Sequence, residues 1–187
     1  MAEPNPSAPR APLLQRARLR FVPPQDRLLL DGAMPKDESG KQNELAFWLT
    51  RHIALGLFEQ LRSSLEKGSA TAGKVPLGWK QEALALEHAA ILKTDAGKGP
   101  GEPWRGRSQP QLLTRIKAKP KDDRIQLALF SGKDLVAALV LGNAPLHRFA
   151  ALLALRIQQA GWDKGLDLSW LGKPPALQRP QAPAKPN

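Results

Sequence analysis

A chain of 187 residues that is 42% hydrophobic can bury one core, shared by a single domain or by two small paired units. It has no cysteine, which excludes disulfides, thiolate metal sites and cysteine nucleophiles. Its net charge of +11 points to an anionic partner such as nucleic acid, and most of the excess lies in residues 111–187, where twelve Lys and Arg face five Asp and Glu.

Pro4, Pro6, Pro9 and Pro12 punctuate the start, so residues 1–14 are expected to be a disordered leader. The leader holds no basic region followed by an apolar run, so no secretory signal is read there and a cytoplasmic location is expected.

A first unit is expected over residues 15–67. Arg16, Arg18 and Arg20 alternate with Ala17, Leu19 and Phe21, the period of a strand with one basic and one apolar face. Pro23-Pro24 ends it, Leu28 to Leu30 form a second strand, and Leu45 to Leu49 a third, covered one. Thr50 is placed to cap a helix over 51–66, whose Ile53, Leu57, Phe58, Leu61 and Leu65 recur at helical spacing.

Residues 68–110 read as a linker carrying an inserted amphipathic helix at about 79–92. Its buried face is predicted from Trp79, Ala83, Leu86 and Ala90, with Glu82, Glu87 and His88 in solvent. Gly68-Ser69-Ala70-Thr71-Ala72-Gly73-Lys74 has the G-x-x-x-x-G-K spacing of a phosphate-binding loop. It follows a helix rather than a strand, however, and Val75 stands where a magnesium-binding hydroxyl belongs, so it reads as linker.

A second unit is expected over 111–171. Arg115, Lys117 and Lys119 share one strand face with Lys121 beyond them, and Pro120 is expected to end the strand. Ile125 to Phe130 and Leu135 to Leu141 follow as strands joined by Ser131-Gly132-Lys133-Asp134. Asn143 is read as the cap of a helix whose Leu146, Phe149, Ala150, Leu153 and Ile157 line one face, with Gly161 ending it. Trp162 and Leu166 to Leu171 are expected to fold back on the core before a Pro-rich basic tail at 172–187. Asn143, Pro145, His147 and Arg148 interrupt the longest apolar region, which argues against a membrane span.

The two units resemble one another. Residues 18–30 align without a gap on 115–127, with eight of thirteen positions identical or chemically equivalent, among them Arg18/Arg115, Pro23/Pro120, Asp26/Asp123 and Arg27/Arg124. The repeated Asp-Arg pair reads as turn chemistry. The predicted fold class is therefore α+β: duplicated β-β-β-α units packed as a pseudo-twofold pair, with the inserted helix between them and Pro-rich disordered termini.

Cations at every second residue of a strand stand about 6.5 to 7 Å apart, close to the spacing of phosphates along a nucleic-acid strand. Arg16, Arg18, Arg20, Arg115, Lys117, Lys119 and Lys121 are thus candidate phosphate contacts, although charged edge strands also serve to block aggregation. Trp104, in the Gly- and Pro-rich linker from Thr94 to Pro110 and beside Arg105 and Arg107, is the aromatic placed to meet a base.

His52, His88 and His147 lie far apart with no ligand spacing, so neither a metal nor a cofactor is expected, and no motif sets up catalysis. A tandem sheet-plus-helix repeat with a basic sheet resembles the Pur-alpha and Whirly single-strand-binding architectures at the level of fold. The expected function is non-enzymatic binding of DNA or RNA, single-stranded forms included, mainly through the backbone and with little sequence preference. The alternative is an assembly factor whose sheet and apolar helix surfaces meet a partner protein.

Overall fold

The computed structural model describes residues 11–69, 75–76, 79–93 and 108–171. The expectations for the Pro-rich tail, for most of the leader, for Ala70 to Lys74 and for Trp104, Arg105 and Arg107 lie outside the described residues.

The described residues are mixed α+β, with two four-stranded sheets and three helices. In the first sheet β2 (Arg16–Val22), β3 (Arg27–Lys36) and β4 (Gln42–Leu49) form an antiparallel meander that runs into helix α1 (Arg51–Gly68). In the second, β6 (Arg115–Lys121), β7 (Arg124–Ser131) and β8 (Asp134–Leu141) do the same ahead of α3 (Asn143–Gln159). Each sheet takes its fourth strand from the segment preceding the other meander. β1 (Leu13–Leu14) lies parallel to β8, and β5 (Gln111–Leu112) lies parallel to β4. Hence Leu14 is buried, and the leader expected through residue 14 gives way to a strand by Leu13.

Local sequence explains most of these elements. Thr50 accepts a hydrogen bond from the Ile53 N–H at 3.4 Å, starting α1, which buries Ala54, Leu57, Phe58, Leu61 and Leu65. All five residues predicted for the apolar face of α3 are buried, and Gly161 follows it with φ of 67°, where a side chain would be strained. Leu19, Leu28, Leu30, Phe47 and Leu49 from one sheet and Ile116, Leu127, Leu129 and Leu139 from the other join both long helices in one core cluster. Trp162 and Trp170 close that core, Trp170 stacking on Phe58 with centroids 5.8 Å apart.

The edge strands β2 and β6 are held by helices of the opposite unit. The Gln60 side chain of α1 accepts from the Ala118 N–H at 2.9 Å and donates to the Ile116 carbonyl at 3.2 Å, so one amide satisfies two backbone groups on the open edge of β6. Arg156 of α3 donates to the Leu19 carbonyl of β2 at 3.0 Å.

Three expectations are corrected. Pro120 does not end a strand: β6 runs through it to Lys121. Ala118, two residues earlier, turns its N–H to the open edge, so the N–H that Pro120 lacks would have pointed there too, where the ladder does not need it. Consequently the loops differ, four residues between Val22 and Arg27 but two between Lys121 and Arg124, and the positive-φ turn residues are Asp26 and Asp122, not Asp123. Asn143 is not the cap of α3; Gly142 occupies that position without a side-chain bond, and the Asn143 amide instead donates to Glu87.

The third concerns α2 (Lys80–Lys93), the inserted helix. Its buried residues are Ala83, Leu84 and His88, whereas Leu86 is 73% and Trp79 66% exposed. Of the residues expected on the buried face only Ala83 is buried, while Ala90 is exposed like Trp79 and Leu86, because Ala occurs on several sides of this helix and its spacing defines no single face. No helix among the described residues is long and apolar enough to cross a membrane.

Candidate nucleic-acid interface

Strand alternation turns Leu19 into the core and Arg16, Arg18 and Arg20 to the opposite face of the first sheet, as their pattern predicted. Register then decides what they meet. Arg18 pairs with Asp31 on β3, and Arg16 and Arg20 flank it opposite Ala33 and Leu29. Asp31 is only 4% exposed. Its Oδ2 accepts from Arg18 Nε at 3.1 Å and Nη2 at 2.9 Å and from Arg20 Nε at 3.1 Å. Arg16 donates to Gln42 Oε1 at 3.1 Å. The three arginines of the first face are thus committed to groups of the protein itself, and Asp31, which no sequence pattern singles out, is what commits two of them.

The second sheet presents the same row without that acid. Arg115, Lys117, Lys119 and Lys121 are exposed and stand opposite Phe130, Ala128, Gln126 and Arg124 on β7. The Arg115 guanidinium lies over the Phe130 ring, 4.4 Å from its centroid, and none of the three lysines takes an ion-pair partner among the described residues. Among the described residues Arg124 reaches the adjacent Asp123, at 3.7 Å, and both are exposed. The outcome is a row of exposed cations in which three lysines have no ion-pair partner among the described residues, flanked by Arg115 over Phe130 and by Arg124 beside Asp123.

A different cluster has no signature in the sequence. His88 of α2 and His147 of α3 are buried at 1% and 0% exposure, with Nδ1 atoms 3.0 Å apart. Glu87 sits beside them, 3.7 Å from His147 Nε2, and accepts from Ser69 Oγ at 2.6 Å and Asn143 Nδ2 at 3.0 Å. Burial, with the neighbouring His147, lowers the His88 pKa to about 4. Burial also lowers His147, against a smaller upward pull from Glu87. For Glu87 burial acts upward, but its hydrogen bonds from Ser69 and Asn143, with the nearby His147, together leave it below the ordinary value. Two neutral imidazoles and one carboxylate make a fastening of α2 to the core. No group of three or more His, Cys, Asp or Glu side chains among the described residues could hold a metal. His52 is exposed and belongs to neither cluster.

An open cleft of about 840 Å³ lies between the C-terminal half of α1, the β6–β7 hairpin and the start of α3. Lys67 and Arg124 are balanced there by Glu59, Asp122 and Asp123, which gives it no dominant charge.

No known family matches the chain, and no curated protein matches it.

Proposed function

We propose that the protein is a non-enzymatic nucleic-acid-binding protein that holds a phosphate backbone along β6. The observation carrying this reading is the row Arg115, Lys117, Lys119 and Lys121, solvent-exposed at alternate strand positions, with no carboxylate at the paired positions of β7. Cations about 6.5 to 7 Å apart match successive phosphates, and their release of counterions would supply most of the affinity. Sequence preference would be slight, because lysine ammonium groups meet phosphates as point charges and read no base edge. The two β-β-β-α units are taken as copies of one ancestral element related by a pseudo-twofold, a relationship supported by their common element order and by the reciprocal placement of β1 and β5.

The second reading, an assembly factor, is favoured by Trp79 and Leu86, large apolar side chains left exposed on or beside α2. A salt titration separates the two. Binding of a labelled mixed-sequence oligonucleotide, followed by fluorescence anisotropy, is expected to weaken linearly on a log–log scale with a slope of roughly −3, reflecting three to four phosphate contacts. Absence of binding at low salt would refute the nucleic-acid reading and leave the assembly one.

A further inference from the structure

Superposing the two meanders by strand pairing rather than by sequence places Arg16, Arg18 and Arg20 on Arg115, Lys117 and Lys119. Val22 faces Arg27 where Lys121 faces Arg124, so each step back along one strand has its counterpart in the other. In this register Asp31, opposite Arg18, corresponds to Ala128, opposite Lys117. The same cation row therefore lies on an acid in one sheet and on a methyl group in the other.

We infer that this pair of positions decides which of the two sheets binds: Asp31 silences the β2 face, and Ala128 leaves the β6 face open. The inference rests on the proposed function. One Asp31 oxygen takes three charge-assisted hydrogen bonds from two guanidinium groups, so donors that could have met phosphate are turned down onto the sheet. Asp31 also cancels one of their two charges, and pulling either arginine away would leave a carboxylate that is 4% exposed without its partner. Arg18 and Arg20 are 36% and 45% exposed, so their side chains lie at the solvent surface, and removing the acid takes away the charge that draws them onto the sheet. On the β6 face no carboxylate among the described residues pairs with Lys117 or Lys119, whose partners across the ladder are Ala128 and Gln126. A protein with two similar cation rows would thereby hold a strand on one face only.

The test uses the whole chain and a short fluorescein-labelled mixed-sequence oligodeoxynucleotide, with thermal melting to verify folding. Asp31→Ala gives the first sheet the residue found in the second, and Asp31→Asn removes the charge while keeping the shape should the alanine variant fold poorly. Either is expected to raise the stoichiometry from one oligonucleotide per chain to two. Ala128→Asp, compared with Ala128→Asn of equal bulk, is expected to weaken binding about tenfold and to reduce the salt slope by about one unit. If the wild type binds but Asp31→Asn leaves stoichiometry unchanged and Ala128→Asp binds as Ala128→Asn does, the inference is overturned while the nucleic-acid reading stands. No binding by the wild type at low salt would overturn both.

Discussion

His88 and His147, 59 positions apart, meet in the interior with their Nδ1 atoms 3.0 Å from one another. One nitrogen must donate and the other accept, so a single proton lies between the two Nδ1 atoms, and burial disfavours the charged form of both rings. The arrangement in which His88 donates puts the remaining His147 proton on Nε2, facing the Glu87 carboxylate at 3.7 Å, and leaves His88 Nε2 unprotonated; neither Nε2 atom has a hydrogen-bond partner. A further proton would go to His88 Nε2 and leave a buried imidazolium nitrogen with no hydrogen-bond partner.

Acid should therefore loosen the fold through this pair. The folded pKa of His88 is about 4, below its ordinary 6.5, so the unfolded chain takes up protons first as pH falls. Stability is unaffected above about pH 7 and declines between 6.5 and 4, by on the order of 3 kcal/mol for a shift of this size. Melting temperature measured across that range checks it, with His88→Leu expected to flatten the acid limb. An unchanged limb in that variant would assign the acid sensitivity to other groups.

Gln60 is predicted to be worth more than its partial exposure suggests. Gln60→Ala leaves the Ala118 N–H and the Ile116 carbonyl without their partner on the open edge of β6, a loss of about 1–3 kcal/mol. Urea denaturation should show it, and hydrogen exchange at the Ala118 amide should accelerate relative to amides in the centre of the sheet. The bared edge is also expected to favour aggregation.

Gly32 should tolerate no side chain without displacement of the buried Leu14 side chain. A Cβ built there falls 2.5 Å from Leu14 Cδ1 and 2.8 Å from Cδ2, and Leu14 is buried. Gly32→Val is expected to cost about 1–3 kcal/mol by overpacking. Shortening the opposing residue supplies the check: Leu14→Ala combined with Gly32→Val should cost less than the sum of the two single changes.

Replacing Arg115, Lys117 and Lys119 together by Gln should weaken oligonucleotide binding across sequences alike and flatten its salt dependence by about one unit for each phosphate no longer neutralised. Melting temperature should barely change, since exposed charges seldom contribute more than about 1 kcal/mol each. The corresponding change of Arg16, Arg18 and Arg20 should act oppositely in kind: little loss of binding, but a loss of stability, because Asp31 is left buried and unpaired. Equal losses of binding from both triple variants would show that the two faces contribute alike.

The sequence alone carried whatever depends on neighbours in the chain. Alternation put the cations of β2 and β6 on one face, helical spacing identified the buried sides of α1 and α3, and Thr50 and Gly161 marked their ends. These follow from local geometry, which repeats every two or every 3.6 residues whatever the rest of the molecule does. The register across a hairpin is another matter. Two additional loop residues before Arg27 made a gap-free alignment of the units misplace Pro120 and pair the wrong turn aspartates, and only strand pairing set Asp31 beneath Arg18 and Ala128 beneath Lys117. Asp31 at the end of the apolar run Leu28 to Leu30 was the signal at hand, but a carboxylate there becomes meaningful only when its cross-strand partner is known. The same holds for α2, whose scattered alanines defined no single face until His88 met His147 and Glu87 met Asn143. Pairings between distant segments are selected by the packing of the whole core, so tertiary structure alone decided which cations were already engaged and which stood free.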